Sequence, residues 1–194
     1  MELKRWNRLV FWFFLIVLLG FEIYSLKIGS TYVLDGLALL LFLVVVYSFE
    51  KRLNLHPVHF FLFGIFLVAH NFGVFGCYFN ECFGVKFASI EFDTYVHFYF
   101  GAVSALILAQ AYDNLVGFKN KKLKYFALIT LVLGMSAFHE LLEYAGGVLL
   151  GDGAGFLKAG AGDIEMWDTQ TDMRNNFFGA LVVLVYYFVD LVEG

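Results

Sequence analysis

The sequence predicts an all-α fold, a polytopic membrane helix bundle, and three observations carry that prediction. Of its 194 residues, 61% are hydrophobic and 20% aromatic, with a mean hydropathy of +0.76, a composition outside the range of soluble domains. The apolar residues fall into about six runs, each near the roughly 20 residues that a helix needs to cross a bilayer. Nine of the 13 Lys and Arg stand either at the N-terminus or in alternate connections between those runs. Residues 1–194 are therefore read as a single transmembrane domain, with no room for a soluble one. The net charge of −4, without a basic arm, excludes nucleic acid as a partner.

Lys4, Arg5 and Arg8 precede the first run, Leu9 to Leu19, which continues to Tyr24. No small-residue cleavage site follows, so an uncleaved first helix is expected. The second run, Tyr32 to Phe49, ends in Glu50-Lys51-Arg52, and Pro57 stands where a third helix, Val58 to about Gly76, would begin. A polar stretch, Cys77 to Glu91, leads to the fourth segment, Asp93 to Tyr112. A linker with Lys119, Lys121, Lys122 and Lys124 leads to the fifth, Tyr125 to about Tyr144. A Gly-rich acidic loop, Gly146 to Asp163, joins it to the sixth, from Trp167 to near Asp190. Lys and Arg are retained in cytoplasmic loops, so both termini are expected in the cytoplasm, with the Cys and Gly-rich loops outside. Cys77 and Cys82 then lie where a disulfide is chemically allowed, and two unpaired thiols are the alternative.

This topology sets the depth of the polar residues. Asp93, His97, Asp168, Asp172 and Asn176 lie in the outer turns of helices that enter from outside. Glu140, about 15 residues past Tyr125, lies roughly 22 Å along its helix, so Glu140 and Glu143 reach the same depth. Asp93 and His97, Glu140 and Glu143, and Asp168 and Asp172 are each three or four residues apart and share a helix face. His70 and Asn71 reach a similar depth on the third segment. Asp93, Glu140, Glu143, Asp168 and Asp172 cannot all stay ionised beside Arg174 alone, so some are protonated or cations are bound. Carboxylates with imidazole suit Zn²⁺, Mn²⁺ or Mg²⁺.

Simpler roles stand beside these. Asp93 and Asp168 could cap their helices, Asp172 and Glu140 could pair with Arg174, and His97 could be a buried hydrogen-bonded histidine. His139 lies about 100° around the helix from Glu140 and is expected to be structural. Glu22 and Asp35, near helix ends, are read as interfacial. Gly101, Ala102, Gly134, Ala137, Gly179 and Ala180 are expected to let helices approach closely.

The motifs Asp93-x-x-x-His97-Phe98-x-x-Gly101, Phe138-x-Glu140-x-x-Glu143, and Gly162-Asp163 followed by Trp167-Asp168-Thr169-Gln170-x-Asp172-Met173 resemble the YjdF-like group of small prokaryotic inner-membrane proteins. They span residues 93–180. Asp93, His97-Phe98, Glu140 and Asp172-x-x-x-Asn176-x-x-Gly179-Ala180 also resemble, more weakly, the VanZ-like proteins associated with glycopeptide resistance. The resemblance implies a multi-pass protein of the inner membrane and a role at the cell envelope, without bringing an established reaction.

The leading expectation is a metal-dependent membrane enzyme acting from the outer face on a lipid or lipid-linked envelope substrate through a lateral opening. His97, Glu140, Asp168 and Asp172 are the candidate ligands of a divalent ion. Glu143 and Asp93 are the catalytic candidates for taking a proton, with Asn176, Arg174 and Asp163 in support. A cation- or proton-coupled transporter is the alternative, as is a non-catalytic protein stabilised by an ion.

Overall fold

The structure, a computed structural model, describes residues 2–30, 33–76, 86–87, 90–116, 120–150 and 168–193. Cys77, Cys82, Asp163 and most of the Gly-rich loop lie outside the described residues, and so does the side chain of Asp168. The chain is an all-α membrane helix bundle. Its long helices are α1 (Glu2–Lys27), α2 (Val33–Ser48), α4 (Pro57–Gly76), α5 (Phe92–Leu115), α6 (Lys121–Leu150) and α7 (Asp168–Glu193). A short α3 (Glu50–Leu53) follows α2, and the strands β1 (Lys86–Phe87) and β2 (Ile90–Glu91) pair antiparallel just before α5. Among the described residues, stretches of α1, α5 and α6 are long and apolar enough to cross a membrane, while α2 and Pro57–Gly73 of α4 are apolar but shorter.

Local chemistry fixes the ends. Gly29, at φ 68°, closes α1. The Ser30 amide donates to Ser25 O and the Gly29 amide to Leu26 O, satisfying carbonyls that a helix end leaves open. Asn54 adopts the same left-handed conformation after α3 and supports the corresponding bonds from Leu55 to Glu50 O and from Asn54 to Lys51 O. Pro57 opens α4 as expected, since its missing N–H costs nothing in the first turn. At α6, Asn120 Oδ1 accepts from the amides of Lys122 and Leu123. Lys121, Lys122 and Lys124 thus stand in the first turn of a helix, and α6 also runs six residues beyond Tyr144, because Val148 to Leu150 continue its apolar pattern. The expected fifth segment is shorter than the helix found.

Two apolar cores share α5. Phe14 and Leu18 of α1, Leu39 and Leu43 of α2, and Phe60 and Leu67 of α4 pack together, with Val96 of α5 joining them. On its other side, α5 packs with α6 and α7 through Ala105, Val132 and Ala180, and then through Ala109, Leu128 and Leu184.

At the end remote from Asp93, side-chain amides tie the connections to the helices. Gln110 donates to Asn54 O at 2.5 Å and lies 2.7 Å from His59 Nδ1, while Asn114 donates to Leu53 O. Buried Asn7 donates both to Glu50 Oε2 at 2.8 Å and to Leu55 O at 2.9 Å. Asn7→Ala strips a donor from a buried carboxylate and a buried carbonyl at once. It is expected to lower the unfolding free energy by about 1–3 kcal/mol in mixed-micelle denaturation.

Candidate functional site

The α5–α6–α7 core is stacked in layers one turn apart, and the polar residues are its continuation. Reading towards the Asp93 end, Ala109, Leu128 and Leu184 give way to Ala105, Val132 and Ala180. Four residues further along each helix stand Gly101, Ser136 and Asn176, and four further again His97, Glu140 and Asp172. The third layer is closed by hydrogen bonds: Asn176 Nδ2 donates to Ser136 Oγ at 2.6 Å and lies 3.2 Å from His97 Nδ1. Asn176 and Ser136 are completely buried, and Asp172 is 3% exposed.

His97 Nε2 stands 3.4 Å from Asp172 Oδ2 and 3.6 Å from Asp93 Oδ1. Asp93, His97 and Asp172 each offer a ligand atom, and those atoms all lie within 4.8 Å of one another. Two carboxylates and an imidazole at that spacing match the donor set of a hard or borderline divalent ion. Asp93 does not cap α5, which begins at Phe92 with Glu91 before it. Its side chain turns along the helix to His97 instead. Glu140 is buried one turn beyond Ser136 on α6, but among the described residues it is not one of the groups that converge on His97, so the structure does not bring this expected ligand into the set.

Several expectations are corrected. Arg174 is exposed, and its Nη2 donates to Asn175 Oδ1. Two residues on a helix are about 200° apart, so Arg174 faces away from Asp172 and does not neutralise the site. Glu143 stands 3.4 Å from His139 Nε2, and His139, expected to be structural, packs between two other imidazoles. Its ring lies 6.0 Å from that of His97 and 6.1 Å from that of His70, forming a row of three imidazoles from α5 across α6 to α4. Each is backed by a carboxylate, because Asp35 Oδ2 lies 3.5 Å from His70 Nδ1. Glu22 and Asp35, read as interfacial, are both buried. Gly134 is exposed, and among the described residues it takes no part in close helix contact.

The three histidines line one wall of a cavity of about 210 Å³ between α2, α4, α5 and α6. Its other walls are apolar, including Phe66 and Phe100 within the bundle, and its lip carries exposed Phe42, Met135 and Phe138. Among the described residues α2 and α6 make no extended contact with each other.

Residues 7–192 match the family described as Predicted membrane protein (DUF2238). The chain belongs to this family. It is a multi-pass membrane protein, as helix composition and family agree. It is also similar to the inner membrane protein YjdF of Escherichia coli (strain K12), at 30% identity over 95 residues, which cover 49% of this chain and 44% of that protein. The chain thus matches a little under half the length of that relative. No solved structure matches.

Proposed function

We propose that the protein is a divalent-metal-dependent enzyme of the inner membrane that acts, from the outer side, on a lipid or lipid-linked envelope substrate. The observation that carries this reading is the convergence of Asp93, His97 and Asp172. Two acids gathered on one imidazole in a buried layer call for positive charge, and a divalent ion meets the need with one species. Asp93, His97 and Asp172 would hold it. Zn²⁺, Mn²⁺ and Mg²⁺ all suit this set, and such an ion supplies Lewis acidity when bound.

Asn176 is the positioning residue. Holding an ion at Nε2 requires the Asn176 amide to turn over from the orientation described above, exchanging Nδ2 for the unpartnered Oδ1, which would then accept from Ser136 Oγ–H and His97 Nδ1–H and leave the Nε2 lone pair facing the two carboxylates. Asp93, considered from sequence as a proton acceptor, fits better as a ligand. Glu143 with His139 is then the couple that takes and returns a proton. The apolar cavity beside the histidines supports a substrate with a hydrocarbon chain, entering at Phe42 and Phe138. Lys51, Arg52, Lys122 and Lys124 gather at the opposite end, which supports cytoplasmic termini and an outward-facing site.

Elemental mass spectrometry of the detergent-purified chain tests the proposal. Near-stoichiometric divalent metal is expected in the native protein and its loss in an Asp172→Asn, Glu140→Gln double variant that still elutes as a folded species. No retention by either protein after Zn²⁺, Mn²⁺ and Mg²⁺ have been supplied sinks the metal reading. Metal retained with no turnover of lipid phosphates or esters points to a structural ion instead.

A further inference from the structure

A second group of buried acids stands at the other end of the histidine row, and the chemistry proposed above does not use it. Glu22 of α1 is 5% exposed and Asp35 of α2 only 1% exposed, although both stand near helix ends. Ser25, one turn after Glu22 on the same face, is buried as well, and so are His70 and Asn71 of α4. Gly36 makes this arrangement possible. A Cβ at position 36 would collide with Glu22 Oε2 and lie 3.9 Å from Asn71 Nδ2. The missing side chain leaves a notch in α2 beside Asp35, and the Glu22 carboxyl is seated in it, close to Asn71.

Seated there, Glu22 lacks what a buried carboxylate requires. Neither oxygen of Glu22, and neither oxygen of Asp35, accepts a hydrogen bond among the described residues. Lys27, the basic residue ending α1, is exposed. Of the titratable groups facing this corner, His70 from α4 stands at ion-pair distance from Asp35, and His139 from α6 lies behind His70. His70 can carry the counter-charge for Asp35, which leaves one negative charge, that of Glu22, to be met. Leaving an ionised carboxylate buried without a partner is strongly destabilising.

We propose that Glu22 and Asp35, with Asn71 and Ser25, form a second site that takes one monovalent cation, a proton or Na⁺. The two species offer the same thing, a single positive charge to buried carboxylate oxygens that accept no hydrogen bond among the described residues. Na⁺ is a hard ion suited to carboxylate, amide and hydroxyl oxygens. A proton converts the two acids into a carboxylic acid facing a carboxylate. The site shares no residue with the Asp93, His97 and Asp172 set, so it stands whether or not that set holds a metal.

The test is thermal unfolding of the full chain in detergent. A pH series is run in NaCl and in choline chloride at equal ionic strength, for the native protein, Glu22→Gln and Gly36→Ala. A cation held by the folded chain alone stabilises it by mass action. The midpoint temperature of the native protein is therefore expected to rise as pH falls, as Na⁺ replaces choline, or both, and Glu22→Gln to lose that response. Gly36→Ala keeps both acids but pushes the Glu22 carboxyl, the free end of a flexible side chain, out of its notch. It is expected to fold and to need about tenfold more cation for half the effect. If Na⁺ moves the pH midpoint downward, the two ions compete and Na⁺ is a ligand; if pH acts alone, the ligand is the proton. Identical responses in the native protein and Glu22→Gln overturn the site, as does a native protein that responds to neither.

Discussion

His97→Ala is expected to abolish divalent-ion retention, and Asn176→Ala to weaken it by about 10–100-fold without removing a ligand. The two effects differ because the residues stand in successive layers. His97 contributes the one nitrogen that meets Asp93 and Asp172, and without it the remaining groups are two acids from different helices with nothing to draw them together. Asn176 touches the other ring nitrogen, and its own position is fixed by Ser136 and by complete burial. Removing the Asn176 amide leaves the imidazole free to turn or to change tautomer, so the proposed ion would be bound by a site that must first be ordered. Competition against a chelator of known affinity, performed on both variants, reads the difference directly. Equal binding by Asn176→Ala and the native protein would show that His97 is not held through Nδ1. Ser136→Ala, one bond further away, should fall between native and Asn176→Ala.

The fold and half of the site were legible because one periodicity carries both. On α5 the four-residue steps 97, 101, 105 and 109 run from histidine to alanine, and on α7 the steps 172, 176, 180 and 184 run from acid to leucine. Sharing a helix face was enough to bring Asp93, His97 and Asp172 together on paper. Direction around the helix was the weaker link. His139 does lie about 100° from Glu140, as expected, and in that direction it meets His70 of α4. A sequence gives the angle and not the neighbour. Arg174 failed for the converse reason: closeness in sequence to Asp172 is distance across a helix. Glu22 and Asp35 were assigned to the interface from their places near helix ends. The signal that could have placed them inside is Gly36, which follows Asp35 directly in an apolar helix where a glycine has no propensity to recommend it. Gly134, judged by the same small-residue criterion, packs closely against none of the described residues. Small residues show where a close approach is allowed, and only a facing helix shows where one occurs.

Gly179→Val and Gly101→Val are expected to be the most disruptive single changes in the bundle. A Cβ at position 179 would fall on Phe98 O, and one at 101 on Asn176 O, so each helix presents its bare backbone to the other at the point where α5 and α7 cross. Neither obstacle is a side chain that can swing away. The helices must separate, and the gap opens one turn below the carboxylates. Overpacking a tight core generally costs about 1–3 kcal/mol, and Gly179→Ala is expected at the upper end of that range, with Val beyond it. Separation also lengthens the 3.4 Å approach of His97 to Asp172, so the loss of stability should be accompanied by loss of ion retention in any variant that still folds. Gly134→Ala supplies the contrast, since a Cβ there meets none of the described residues and replaces a poor helix former with a good one, for a gain of up to about 1 kcal/mol. Mixed-micelle unfolding of the three alanine variants, with ion content measured on the folded fraction, separates the possibilities. If Gly179→Ala and Gly101→Ala match Gly134→Ala in stability, the α5–α7 crossing is not the tight contact on which the site depends. If both are destabilised and also lose the ion, the glycines hold the acids of α7 against the histidine of α5, and the helix crossing is itself part of the site.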